Sequence, residues 1–101
     1  MKMEKQVHTQ MRRSKLETHI DILKVLAHSG PLKPTHIMNK ANLNGGKLNE
    51  YLSFLIKQGL VEERTLKKGS SVFAVTQRGI IVLKQLREIS QVLHVVEEAQ
   101  R

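Results

Sequence analysis

The sequence predicts a mainly α-helical domain with a small β-hairpin, α+β in class. It reads as a winged helix-turn-helix extended by a long C-terminal helix that pairs two copies. Three observations predict it. Two amphipathic helical segments flank the short polar turn Asn42-Leu43-Asn44, and the apolar period changes from helical to alternating after Gly59. No proline or glycine follows Gly79, which leaves one unbroken helical run. A length of 101 residues suits one domain and leaves no room for a separate catalytic module. The expected organisation is a basic arm or helix extension over 1–13, the winged domain over 14–78, and a coiled-coil helix over 79–101.

Ser14-Lys15-Leu16-Glu17 is a capping-box pattern, so a first helix is expected to start there. Leu16, Ile20, Leu23 and Ala27, with Ile22 and Leu26 beside them, recur at helical spacing and define its expected buried stripe; Gly30-Pro31 ends it. Pro34 suits the first turn of a short second helix, whose inner face is Ile37, Met38 and Ala41. Asn44 is placed to cap a third helix carrying Leu48, Leu52, Leu55 and Ile56 inward, with Gly59 as its stop. The runs from Leu60 to Leu66 and from Ser71 to Thr76 flank Lys67-Lys68-Gly69-Ser70 and read as a hairpin, the wing, with Phe73 and Val75 on one face. Thr76 caps the last helix.

That last helix carries two apolar sets. Ile80, Ile81 and Leu83 are expected to pack on the winged domain, and Val82, Leu86, Ile89, Leu93 and Val96 form a heptad seam. At about 1.5 Å per residue the helix reaches roughly 35 Å, more than so small a core uses. The seam therefore serves either a second copy of the chain or the first helix and N-terminal segment of the same chain. Met3, Val7 and Met11 are spaced to share one helical face, while residues 1–13 equally suit a basic arm.

The net charge of +8 is a pattern that attracts polyphosphate by counterion release, although basic domains also meet anionic membranes and acidic partners. Its distribution says more. The head carries Lys2, Lys5, Arg12, Arg13 and Lys15 against Glu4, whereas residues 79–101 are balanced. Lys24, Lys33, Lys40, Lys47 and Lys57 fall in the helical region, and Arg64, Lys67, Lys68 and Arg78 fall around the hairpin. With Tyr51, Phe54 and Phe73 as its only aromatics, the chain suits duplex better than stacked single strands. The absence of cysteine rules out a disulfide framework and fits a cytoplasmic setting. No apolar run is long enough to span a bilayer, so no membrane role is expected.

Four segments together carry a family resemblance: Ser14-Lys15-Leu16-Glu17, Lys40-Ala41-Asn42-Leu43-Asn44, the block from Tyr51-Leu52 through Leu55-Ile56 to Gly59-Leu60, and Thr76-x-x-Gly79. Over about residues 13–101 the chain resembles the archaeal chromatin-protein 10a family of small winged-helix proteins. The resemblance implies an archaeal source, an antiparallel coiled-coil homodimer through the last helix, and a nucleoid-associated protein that binds double-stranded DNA in a chromosomal or regulatory role. Gly45-Gly46 departs from the stronger helix formers expected there, which leaves the start of the third helix open.

Docking geometry assigns contacts independently of family. The second helix of a helix-turn-helix enters the major groove by its N-terminal side chains, here Lys47, Asn49, Glu50 and Ser53, with Lys57 further along. Lysine donates to guanine or phosphate and asparagine pairs with adenine, whereas Glu50 repels phosphate. Asn44, Gly45 and Gly46 place backbone N–H groups where a phosphate oxygen fits, or form a plain turn. Lys67 and Lys68 at the wing tip, with Arg64 below them, reach a phosphate or the minor groove, or are simply solvated. Arg12, Arg13 and Lys15 are expected either to reach a neighbouring backbone or to form a flexible arm.

Catalysis finds no support. Histidines 8, 19, 28, 36 and 94 lack metal-ligand spacing, the pairs Glu62-Glu63 and Glu97-Glu98 diverge as surface charge, and no glycine-rich phosphate loop follows a strand. No cofactor or metal is expected. The rival to DNA binding is a winged-helix protein-interaction module within a larger assembly. Such a module would expose an apolar patch on the third helix, and Phe54 is the one bulky apolar exception on its outward face.

Overall fold

A computed structural model of the chain describes residues 14–99, with side chains through residue 93. Helices α1 (Lys15–Ser29), α2 (Pro34–Ala41) and α3 (Gly45–Lys57) precede strands β1 (Val61–Thr65) and β2 (Ser71–Val75), and α4 (Gln77–Ala99) closes the chain. This is the mainly helical winged-helix arrangement with a two-stranded antiparallel hairpin. The expectations on Met3, Val7, Met11, Arg12 and Arg13 fall outside the described residues.

Local chemistry sets each boundary. The Glu17 N–H donates to Ser14 Oγ (3.0 Å) and the Ser14 N–H donates to Glu17 Oε1 (2.9 Å), a complete capping box that starts α1. Pro34 opens α2 at a position that needs no N–H donor, and Asn42 closes it in the left-handed conformation (φ 58°), a role open to asparagine but strained for most residues. Asn44 caps α3, its Oδ1 accepting from the Lys47 N–H at 2.9 Å, so the helix starts on the diglycine after all. At the other end Gly59 (φ 77°) donates to the Ile56 carbonyl and Leu60 donates to the Leu55 carbonyl, both at 2.9 Å, which is a Schellman stop.

The core is one cluster in which Ile22, Leu23 and Leu26 of α1 meet Ile37 and Ala41 of α2, Leu48, Leu52 and Leu55 of α3, Val61 of β1 and Leu83 of α4. Each such Leu or Ile contributes about 1.5–3 kcal/mol by leaving water. The buried face of α1 differs from the expected stripe. Thr18, Ile22, Leu23 and Leu26 are enclosed, whereas Leu16 and Ala27 are exposed and Ile20 is half-buried. Thr18 is admitted because its hydroxyl donates to the Ser14 carbonyl at 3.1 Å. Ile56, at the edge of the α3 face, is 37% exposed.

In the hairpin Val61 pairs with Val75 and Glu63 with Phe73. The outer edge of β2 is partly covered, since Leu32 and Phe73 exchange both backbone hydrogen bonds (3.0 and 2.8 Å). Phe73 and Val75 share a face and pack against the core, while Ala74 is enclosed.

Thr76 then joins three elements: its hydroxyl donates to the Gly59 carbonyl (2.7 Å) and accepts from the Gly79 N–H (3.0 Å), capping α4 against the end of α3. Of the α4 residues expected on the domain, Leu83 is buried, but Ile80 and Ile81 are 43% and 51% exposed. Val82 and Leu86 are half-buried instead.

Candidate nucleic-acid interface

Helix α3 is held from one side only. Leu48, Leu52 and Leu55 anchor it in the core, and the spacing that turns them inward turns Gly46, Asn49, Glu50, Ser53 and Lys57 outward, all of them exposed. Lys47 is exposed on one flank of this face. The predicted groove-reading set of Lys47, Asn49, Glu50, Ser53 and Lys57 therefore occupies one continuous stretch of free helix surface.

At the start of α3 the Lys47 N–H is taken by Asn44 Oδ1 and the Leu48 N–H by the Asn44 carbonyl (3.0 Å). What this terminus can offer an anion is the backbone N–H groups of Gly45 and Gly46 at the positive end of the helix dipole. Space does not demand glycine here, since added β-carbons would meet nothing closer than Met38 Sδ at 3.4 Å from Gly45 and Asn44 Oδ1 at 3.8 Å from Gly46.

The wing presents its cations by turn geometry. Gly69 (φ 85°) donates to the Leu66 carbonyl at 2.9 Å, and Leu66 donates to the Ser70 carbonyl at 2.7 Å. This tight turn with its left-handed glycine leaves Lys67 and Lys68 at the apex, both exposed. Arg64 is different: its guanidinium pairs with Glu62 at 2.7 Å across an exposed strand face. An exposed pair of this kind contributes at most about 1 kcal/mol, so a phosphate can compete for the arginine. The glutamate two residues earlier on the same strand face was a visible signal for this pairing, which the charge census passed over.

Sequence reasoning also missed a cluster beside α3. His19 of α1 stands with its ring centroid 4.8 Å from both Tyr51 (interplanar angle 75°) and Phe54 (32°). Burial, and after it the Lys15 ammonium, push its imidazole below the ordinary value near 6.5. Lys15, His19, Lys47, Glu50, Tyr51 and Phe54 line a cleft of about 420 Å³ between α1 and α3. The legible signal was spacing: Lys15 and His19 are one turn apart, as are Lys47, Tyr51 and Phe54 in succession.

The seam of α4 divides. Val82 and Leu86 are half-buried on their own domain, while Ile89 and Leu93 are 55% and 59% exposed. Val92, 61% exposed, adds to the free strip, and Gln85, Glu88, Ile89, Val92 and Leu93 line a shallow apolar groove there. The Val96 side chain lies outside the described residues. Among the described residues no helix is long and apolar enough to cross a membrane, and no three acidic or histidine side chains gather as a metal site.

The sequence profile of a family described as winged helix-turn-helix matches residues 12–94. A curated relative, the uncharacterized protein MJ0287 of Methanocaldococcus jannaschii, is 29% identical over 83 residues, covering 82% of this chain and 79% of its own. Among solved structures, Sso10a-2, a DNA-binding protein from Sulfolobus solfataricus, superposes with a TM-score of 0.74 at 20% identity, over 87% of this chain and 90% of that one. A MarR-family transcriptional regulator from Silicibacter pomeroyi superposes with a TM-score of 0.69 at 22% identity, over 80% of this chain. The present chain spans only 54% of that regulator's length. At these identities the structural likeness establishes the fold.

Proposed function

The chain belongs to the winged helix-turn-helix family, and from that premise we propose that it binds double-stranded DNA as a homodimeric transcriptional regulator or chromosomal protein of the archaeal kind. The observation that carries this reading is the outward face of α3. It is anchored by Leu48, Leu52 and Leu55, and beside the one carboxylate of Glu50 it offers Asn49, Ser53 and Lys57, with Lys47 on its flank, where a protein-docking face would centre on apolar surface. Phe54, 48% exposed, is the residue a protein-interaction module would use, but it stands on the flank beside His19 and not at the centre of the free face.

In this reading α3 enters the major groove. Lys47 and Asn49 reach base edges or phosphates, Ser53 supplies a short donor, and Lys57 meets the backbone. Lys67 and Lys68 hold the flanking phosphates or minor groove from the wing, with Arg64 exchanging Glu62 for phosphate. Arg12 and Arg13 add charge from the N-terminal segment. The few base-reading side chains on α3 favour weak sequence preference, which is in keeping with a cytoplasmic, nucleoid-associated protein. The resemblance to chromatin-protein 10a and the fold shared with Sso10a-2 support the same assignment.

Fluorescence-anisotropy titration of a labelled mixed-sequence duplex at several salt concentrations tests the proposal. Binding with a clearly negative log–log salt slope is expected. No binding at low salt would remove sequence-tolerant duplex recognition, and a footprint confined to one short operator would replace weak preference by specific repression.

A further inference from the structure

Helix α3 opens on two glycines that its fold does not require. Neither is among the glycines with positive φ, and an added β-carbon would meet only Met38 Sδ at 3.4 Å from Gly45 and Asn44 Oδ1 at 3.8 Å from Gly46. Glycine is a poor helix former, so this first turn opens more readily than the leucine-anchored turns behind it. The residue ahead of the glycines is Asn44, exposed, at φ −86° and ψ 164°, with its Oδ1 accepting from the Lys47 N–H at 2.9 Å. Of the asparagines Asn39, Asn42, Asn44 and Asn49, only Asn44 is followed by glycine.

We propose that the Asn44-Gly45 pair is a site of spontaneous deamidation, and that the charge this creates lowers DNA binding. The Gly45 amide nitrogen lies in the first turn of the helix, where it has no helical carbonyl to donate to, and no side chain on Gly45 hinders its approach to Asn44 Cγ. As that nitrogen bonds to Cγ, the Cγ–Nδ2 bond breaks, and ammonia leaves with the proton that the Gly45 nitrogen gives up. Water then opens the five-membered imide at either carbonyl and puts an aspartyl or isoaspartyl residue in place of the asparagine. The fold sets the rate. Ring closure turns Asn44 away from ψ 164° and releases its cap, so the reaction proceeds from the opened first turn. The consequence for DNA rests on the function proposed above. A carboxylate at the start of α3 stands on the helix assigned to the groove, where it repels phosphate. The aspartyl product still caps α3, because a carboxylate accepts from the Lys47 N–H and suits the positive end of the helix. Binding is then lost through charge and not through unfolding.

The full-length protein is incubated at neutral pH, and its peptides are mapped by mass spectrometry at intervals. Asn44 is expected to convert faster than Asn39, Asn42 or Asn49, giving aspartyl and isoaspartyl peptides together. Gly45→Ala should nearly abolish the conversion. Gly46→Ala leaves the reacting pair intact but strengthens the first turn, and should slow it several-fold. Conversion at Asn44 no faster than at the other three, or to the aspartyl peptide alone, overturns the site. A Gly46→Ala rate equal to that of wild type overturns its control by the first turn. Affinity for a labelled mixed-sequence duplex is then compared between wild type and Asn44→Asp, which should unfold at no lower a temperature and bind several-fold more weakly. Equal affinity overturns the coupling. If wild type binds no duplex, the DNA-binding reading is what fails, and the peptide map still decides the site.

Discussion

Gly79 of α4 lies against the backbone carbonyl of Leu60: a β-carbon added at Gly79 would overlap that oxygen and stand 2.6 Å from Val75 Cγ2. The contact explains why a glycine opens a helix that otherwise avoids it. Thr76 holds the same junction by donating to Gly59 and accepting from Gly79, so the Thr-x-x-Gly sequence clamps α4 onto the end of α3. Gly79→Ala is expected to destabilise the domain by about 2–3 kcal/mol through overpacking. The sign is diagnostic, because the same change in an unobstructed helix stabilises by about 1 kcal/mol. Urea denaturation reads it, and a variant as stable as wild type would mean that α4 can shift off Leu60.

The wing lysines act on a different quantity. Lys67 and Lys68 are exposed at a turn whose geometry is set by Gly69, so Lys67→Ala with Lys68→Ala should leave thermal unfolding unchanged. If each meets one phosphate, the log–log salt slope of duplex binding becomes shallower by about 0.9 per lysine. An unaltered slope in a folded double mutant would take the wing out of the interface.

Much of this architecture was legible because its signals are local. The Ser14–Glu17 box, Pro34, the Asn44 cap and Gly59 each fix a helix end by chemistry within a few residues of chain. The wing was legible for the same reason, from a glycine turn between two β-prone runs. What was not legible depends on which element lies across the contact. Leu16 and Ala27 have the period of a buried stripe but lie outside the neighbours' reach, while Thr18 is enclosed through a hydrogen bond to its own helix. Ile80 and Ile81 are apolar near a contact that Leu83 alone makes fully. The outward-facing residues of α3 followed from helical phase, whereas the His19–Tyr51–Phe54 cluster needed the packing of α1 on α3, which periodicity within each helix does not contain.

Stability should depend on pH through His19. Its imidazole titrates below the ordinary value near 6.5 because burial, and then Lys15, disfavour the cation. Between that lowered value and 6.5 the unfolded chain binds the proton and the folded one does not, so unfolding free energy rises with pH across the window. The contribution is complete above the unfolded value and declines as pH falls through the window. Comparing wild type with His19→Gln in urea titrations isolates it from the carboxylates. The variant's stability is expected to fall less on going from neutral to mildly acid pH, and parallel pH profiles would show that His19 carries no such dependence.

The free strip of α4 predicts the oligomeric state. Ile81, Ile89, Val92 and Leu93 are all more than half exposed, on a helix of 23 residues whose half-buried side chains, among the described residues, end at Leu86. Leaving them in water forfeits about 25 cal/mol for each Å² of apolar surface that a second copy would cover. A pair of such helices lying alongside each other recovers that area, and self-pairing needs a surface that meets its own copy, which the distal strip offers on each helix. Because Val82 and Leu86 are half-buried against their own domain, the decisive contacts fall on the distal residues, so the test belongs there. Ile89→Glu with Leu93→Glu is expected to give a folded monomer in sedimentation equilibrium where wild type is a dimer, with helical circular dichroism largely kept since neither side chain is in the core. A wild-type monomer at high concentration would remove the dimer altogether, and a dimer that survives both glutamates would move its interface to another face.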